Sequence, residues 1–316
     1  MKEILKLEDI SVGNEEVKIL RDIEFEVKKG EIISVVGESG CGKSMTLRTI
    51  IKLLPKNLKI LKGRVYFEGI DITDLDEEKM KEIRGGKISI IFQEPSSYLN
   101  PLFTIGNQIE EGIKDRIKKE EKKERVMKIL KEVGLSENVY YQYPHQLSGG
   151  MQQRAMIAMS IINKPSLLLA DEPTTSLDIT TAFEILNLLK DLVISHNISI
   201  IFVTHDISLA RFISKEMIVM YAGIIVEKGF SNLIYSNPLH PYTKKLIDCL
   251  PEKYNKGERI RTIEGEVISF KNLPNGCPFY PRCEEKKEIC EGFLPKEIEI
   301  ENVSVRCFKY GDFMES

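Results

Sequence analysis

The chain has 316 residues, with 45 Lys and Arg against 48 Asp and Glu, a formal net charge of −3 and 42% hydrophobic residues. That balance suits a globular protein of two domains, or one large α/β domain with an appendage, and it lacks the basic surplus of a dedicated nucleic-acid binder. Four of the six cysteines (Cys277, Cys283, Cys290, Cys307) lie within 31 residues near the C-terminus. The N-terminus MKEILKLEDI has no apolar leader, so the grouping favours a metal site over a disulfide framework. No apolar run approaches the roughly 20 residues of a membrane span, which leaves any membrane work to a partner.

In chain order, the first 69 residues are strand-rich, and EIISVVG runs into a glycine loop and then a helix-compatible stretch, KSMTLRTIIKLL. Strand, loop and helix in that order frame an α/β nucleotide fold. From about residue 94 to 165 the character turns helical. In EKKERVMKILKEVGL, Val126, Ile129, Leu130 and Val133 make one apolar stripe and the Lys and Glu residues a wet face. Then SLLLAD, ISIIFVTHD and MIVMYAG read as buried strands, with residues 179–195 as a helix between the first two, which predicts a mainly parallel sheet covered on both faces. After about residue 229, Pro, Tyr and Asn become frequent, marking a composition boundary.

Gly37, Glu38, Ser39, Gly40, Cys41, Gly42, Lys43 and Ser44 fit the pattern G-x-x-x-x-G-K-[ST]. Its glycines let successive backbone N–H groups turn onto phosphates, its lysine reaches the β/γ oxygens and its serine hydroxyl joins Mg²⁺. The helix that follows, from Lys43, Ser44 and Met45, adds its positive end. Cys41 occupies an unconstrained position of the pattern. Some 130 residues later, Leu168-Leu169-Ala170-Asp171-Glu172 is an apolar strand ending in two carboxylates. Asp171 suits the Mg²⁺ site and Glu172 suits orienting or deprotonating an attacking water.

Between these motifs stands Leu147-Ser148-Gly149-Gly150-Met151-Gln152-Gln153-Arg154, which resembles the signature of the ATP-binding cassette (ABC) ATPases. The resemblance covers about residues 3–250. It implies a P-loop α/β core with an antiparallel β subdomain and a helical signature subdomain at about 94–163. It further implies that Gln93 is the Q-loop glutamine sensing Mg²⁺ and nucleotide, Asp178 belongs to the D-loop and His205 holds the γ-phosphate. Glu172 becomes the catalytic base, and Ser148, Gly149, Gly150 and Gln152 face the ATP of a second subunit in a head-to-tail dimer. The family stacks adenine on an aromatic residue about two dozen positions before the phosphate loop, yet Ser11-Val12-Gly13-Asn14-Glu15-Glu16-Val17 has none. Val12 or Val17 is the aliphatic substitute, and weaker discrimination of ATP from GTP is expected.

Within the family, SSYLNPLFTIGNQI, YPHQLSGGMQQRAMIAMSI, DEPTTSLD and NPLHPYTKKLI resemble the ATP-binding subunits of dipeptide and oligopeptide importers, a group that also includes nickel importers. The resemblance implies a peripheral subunit on the cytoplasmic face of the membrane, a heterodimeric partner cassette, two permease chains and an extracytoplasmic peptide-binding protein. Residues 96–102 would meet the permease. It also implies that the C-terminal extension, 251–316, binds a [4Fe–4S] cluster. The four cysteines have five, six and sixteen residues between them, a set that also suits tetrahedral Zn²⁺, although zinc sites more often use C-x₂₋₄-C pairs. The cluster, far from the phosphate loop, is expected to staple a small, core-poor extension rather than do chemistry, with Cys249 packed among apolar residues. A soluble ABC ATPase acting on nucleic acid or ribosomes is the alternative of another class, and an ATP-binding redox sensor is a third.

Overall fold

The protein is described by a computed structural model covering residues 2–255, 257–258 and 261–311. Its strands are β1 (Glu3–Gly13), β2 (Lys18–Lys28), β3 (Ile32–Val36), β4 (Lys59–Phe67), β5 (Ile70–Asp71), β6 (Ile88–Ile91), β7 (Leu167–Asp171), β8 (Ser199–Thr204), β9 (Glu216–Tyr221), β10 (Ile224–Phe230), β11 (Ile298–Ile300) and β12 (Val303–Val305). The chain divides into two compact units. One is built mainly from Val27–Ile32 and Asp74–Val203, the other from Leu5–Glu26, Ile33–Thr73 and the chain from Thr204 onward.

In the first unit β6, β7 and β8 form a parallel ladder, with Ile91 opposite Ala170 and Ala170 opposite Phe202. β7 and β8 are buried at every position, as short all-apolar strands covered on both faces must be. The chain between β6 and β7 is helical at Pro95–Tyr98, Ile105–Gly112, Lys119–Glu132 and Gly149–Ile161. The stripe of Val126, Ile129, Leu130 and Val133 is buried. That helix stops where Leu135 N–H reaches back to the Leu130 carbonyl at 2.8 Å and Gly134 N–H to Lys131 at 3.0 Å, a pairing that satisfies two of its last carbonyls. The helix Ile179–His196 follows β7.

In the second unit one sheet runs β2-β1-β4-β5, with β1 and β4 antiparallel. In another, β3 pairs parallel with β9, and β9, β10, β12 and β11 continue antiparallel. The parallel expectation holds for the strands it was read from, β7 and β8 pairing parallel with each other and β9 with β3, and the antiparallel part is β10, β12 and β11. Tyr221 pairs with Ile224, leaving only Ala222 and Gly223, both at positive φ (43° and 81°), as a two-residue hairpin turn. A parallel partner would need a long crossover.

The C-terminal segment is not poor in core. Phe279 and Val303 join Val219, Tyr221, Tyr242 and Ile247 in one buried cluster, and Phe308 is fully buried as well. The reason is β12, which pairs with β10 through Glu227 and Val305 and so draws the segment onto the unit's own core. None of the described helices is long and apolar enough to cross a membrane.

Candidate functional site

The phosphate loop leaves β3 and enters the helix Lys43–Ile50. Gly42, the helix N-cap, has φ 112° and offers no side-chain cap. A Cβ there would lie 2.9 Å from Leu20 Cδ2, and at Gly37 one would lie 2.3 Å from the Met220 carbonyl oxygen, so the bend needs glycine. The first-turn N–H groups of the helix thus face the loop, the arrangement that binds anions. Lys43 Nζ donates to the carbonyls of Gly37 (2.7 Å) and Glu38 (3.0 Å), curling the loop around its own ammonium. Ser39 and Gly40 are exposed, Ser44 and Met45 half-buried.

Cys41 is not a loosely placed loop residue: it is 1% exposed, burial raises its thiol pKa, and its carbonyl accepts from Gly223 N–H at 2.8 Å. Val12 is fully buried within β1, which removes it as a surface for adenine and leaves Val17, half-buried beside Asn14.

Two residues outside the phosphate-loop motif fix the loop from the same unit. Tyr242, on the helix Pro241–Asp248, accepts the Glu38 N–H on its hydroxyl at 2.8 Å. Arg282 holds the Glu38 carboxylate in a bidentate pair, Nη1 to Oε2 at 2.7 Å and Nη2 to Oε1 at 3.0 Å. Its other donors reach the Tyr221 hydroxyl (3.3 Å) and the carbonyls of Glu264 (3.0 Å) and Ile263 (3.2 Å). Burial opposes the guanidinium charge, but the bonds to Glu38 and Tyr221 outweigh it and raise the pKa further. The rings of Tyr221, Tyr242 and Phe279 pack together, with centroids 4.7–5.4 Å apart. The extension therefore touches the phosphate loop through Arg282. Tyr242 lies in the string NPLHPYTKKLI, but nothing there announces a contact with the phosphate loop, and no local motif announces Arg282.

His205 directly follows β8 on an exposed position, so it is no core histidine. His240 is the buried one: 1% exposed, pushed down by burial to about 3, it caps the helix Pro241–Asp248 by accepting Tyr242 N–H on Nδ1.

In the other unit, β6 and β7 are neighbours, so Gln93, exposed two residues after β6, and Asp171, buried at the end of β7, leave adjacent strand ends. Glu172 has φ 46°, donates its N–H to Val203 at 3.0 Å and accepts Thr175 Oγ1 at 2.9 Å. That turn carries the carboxylate off the buried strand. Ser148 caps the helix Gly149–Ile161, and Ser148 and Gly149 are exposed. Gln152 is committed to the loop itself, its amide donating to Pro144 (2.9 Å) and Leu147 (3.4 Å). Asp178 caps the helix Ile179–His196, accepting Thr181 Oγ1 at 2.6 Å and Thr181 N–H at 3.0 Å, the bonds that lower its pKa.

Cys277, Cys283, Cys290 and Cys307 all line one cavity of about 20 Å³. Cys277 N–H donates to the Cys290 carbonyl at 2.8 Å. Burial pushes the Cys277 thiol up to about 12 and that of Cys307 to about 11, with the other thiols of the group adding to both. Among the described residues no group of three or more His, Cys, Asp or Glu is drawn into metal-holding geometry. Cys249 is half-buried and lines a polar pocket with Lys245, Asp248, Arg261 and Glu284, so it is not the apolar packing residue expected.

Residues 20–175 match the ABC transporter family, and residues 226–290 match the oligopeptide/dipeptide transporter C-terminal region. The oligopeptide transport ATP-binding protein AppD of Bacillus subtilis is 40% identical over 302 residues, 94% of this chain and 92% of its own. The dipeptide transport ATP-binding protein DppD of the same organism is 38% identical over 319 residues, 98% and 95%. A putative peptide import ATP-binding protein of Brucella ovis is 39% identical over 312 residues, 93% and 92%. Among solved structures, the ATP-binding cassette MJ0796, a dimer in a post-hydrolysis state bound to ADP and Pi, gives a TM-score of 0.64 at 34% identity, covering 72% of this chain and 99% of that one. The protein cbiO1 from Clostridium perfringens, part of the ABC transporter complex cbiONQ, gives 0.67 at 28% identity, covering 75% and 92%.

Proposed function

This chain belongs to the ABC transporter family, and from that premise we propose that it is the ATP-hydrolysing subunit that powers an importer of di- or oligopeptides. The observation that carries the reading is identity of 38–40% to peptide and dipeptide transport ATP-binding proteins along more than nine-tenths of both chains. The C-terminal match to the oligopeptide/dipeptide region favours peptides over nickel, and the same relatives set aside a nucleic-acid or ribosome role.

In the proposed mechanism, the N–H groups of residues 37–44 and Lys43 cradle the β- and γ-phosphates. Ser44, Asp171 and Gln93 would hold Mg²⁺, which neutralises developing phosphate charge. Glu172 positions and deprotonates the attacking water, and His205 holds the γ-phosphate. Ser148, Gly149 and Gly150, at an exposed helix N-terminus, would complete the ATP site of a second cassette, with Asp178 at the same interface. We assign the partner as a related cassette, giving a heterodimer under two permease chains at the cytoplasmic face, fed by an extracytoplasmic binding protein.

Cys277, Cys283, Cys290 and Cys307 would hold a [4Fe–4S] cluster, with zinc as the alternative. Four thiols around one small cavity are a fitting donor set, and metal binding would draw them into the thiolate form against the burial that raises Cys277, Cys283 and Cys307. The group would supply cross-linking of the extension. The deciding experiment is purification of the membrane complex with its binding protein and identification of the bound ligand. A peptide supports the reading; a nickel chelate, or no permease in the complex, overturns it.

A further inference from the structure

Glu38 is the second residue of the phosphate loop, and three groups fix it. Its carbonyl accepts from Lys43, its N–H donates to Tyr242, and its carboxylate is clamped by Arg282. The first restraint belongs to the loop motif itself. The third comes from the residue before Cys283, some 240 positions away in sequence.

We infer that Arg282 is a positioning residue for ATP: acting through Glu38, it holds the phosphate loop in its binding shape before nucleotide arrives. The Arg282 side chain is only 4% exposed, against 22% for Glu38. All five of its N–H donors are spent, two on Glu38 and the others on Tyr221, Glu264 and Ile263. A planar guanidinium so saturated has one orientation, so the carboxylate it grips has one as well. A loop restrained beforehand gives up less freedom on binding, which raises affinity without adding a contact to the ligand. Lysine cannot replace it, because one ammonium does not reproduce the two-pronged grip. The C-terminal extension thereby becomes part of the nucleotide site without touching nucleotide.

The inference rests on residues 37–44 being the ATP site. Equilibrium ATP binding and steady-state hydrolysis are measured on the full chain for the parent, Arg282→Met, Arg282→Lys, Glu38→Gln and the Arg282→Met/Glu38→Gln double variant, with folding followed by circular dichroism. Each single variant should weaken ATP binding about fivefold or more, the scale of a coupled site, while for Arg282→Met and Arg282→Lys kcat at saturating ATP stays within about twofold. The double variant should bind no more weakly than the worse single one, because both break the same link. Arg282→Met binding ATP like the parent, or effects that multiply in the double variant, would overturn the inference. If Arg282→Met does not fold, Glu38→Gln decides, since it leaves the extension intact: unchanged affinity overturns the inference. A parent that binds no ATP overturns the phosphate-site reading along with this one, whereas a binding parent with indifferent variants sinks this one alone.

Discussion

The hydroxyl of Tyr242 accepts the backbone N–H of Glu38 at 2.8 Å, from a side chain that is fully buried. Tyr242→Phe keeps the ring against Tyr221 and Phe279 but leaves that N–H without its acceptor. The expected cost is about 1–3 kcal/mol of stability, read as a lower urea midpoint with an unchanged slope. An unchanged midpoint would mean that water replaces the hydroxyl without loss.

Glu172 sits at φ 46° just past the buried end of β7, with Thr175 Oγ1 on its carboxylate. Glu172→Gln is nearly isosteric and keeps an oxygen for Thr175, but it cannot take a proton. Hydrolysis should fall by about 10²–10⁴ while ATP binding and ATP-dependent dimerisation persist. Hydrolysis at the parental rate would remove Glu172 as the base.

For the four-cysteine group, anaerobic purification followed by iron, sulfide and zinc analysis should give about four irons and four sulfides per chain. Cys277→Ser and Cys283→Ser should each lose the metal and melt earlier, whereas Cys249→Ser, at a site outside the shared cavity, should keep it. A colourless protein carrying zinc would establish the tetrahedral alternative.

At the signature, a Cβ on Gly150 would come within 2.6 Å of Thr181 Cγ2. Gly150→Ala should cost about 1–3 kcal/mol through overpacking. Thr181→Ser removes the offending methyl but keeps the hydroxyl that bonds Asp178, so the double variant should recover most of the loss in thermal unfolding. Failure to recover would place the cost elsewhere than in this contact.

With Val12 buried in β1 and no aromatic residue between positions 11 and 17, ATP over GTP discrimination should be less than about tenfold, the value of a modest apolar contact. Competition binding measures it, and Val17→Tyr should widen the ratio. A strong preference in the parent would mean that some other residue reads the base.

The glycine loop, the acidic strand end and the signature helix were legible as elements because each is local. Each carries its chemistry within a few residues, and the stripe of Val126, Ile129, Leu130 and Val133 announces its own buried face. What sequence could not carry was pairing across distance. Nothing near Arg282 says that its partner is Glu38, and nothing in Cys41 says that it is sealed in by Gly223. The hairpin at Ala222 and Gly223 went unread for a different reason: an all-apolar strand has no alternation from which to tell a parallel neighbour from a hairpin.

The pairing of β12 with β10 has a consequence for any shortened form of the chain. Cut just beyond β10, the cassette would lose the strand that pairs with Glu227, Lys228 and Gly229, leaving that stretch of β10 open along one side, a template for a strand of another molecule. In the whole chain that margin is closed by β12 and finished by β11, only three residues long. The extension thus acts as a hem on the sheet, and a truncated cassette should precipitate or form intermolecular β-structure in addition to binding ATP more weakly.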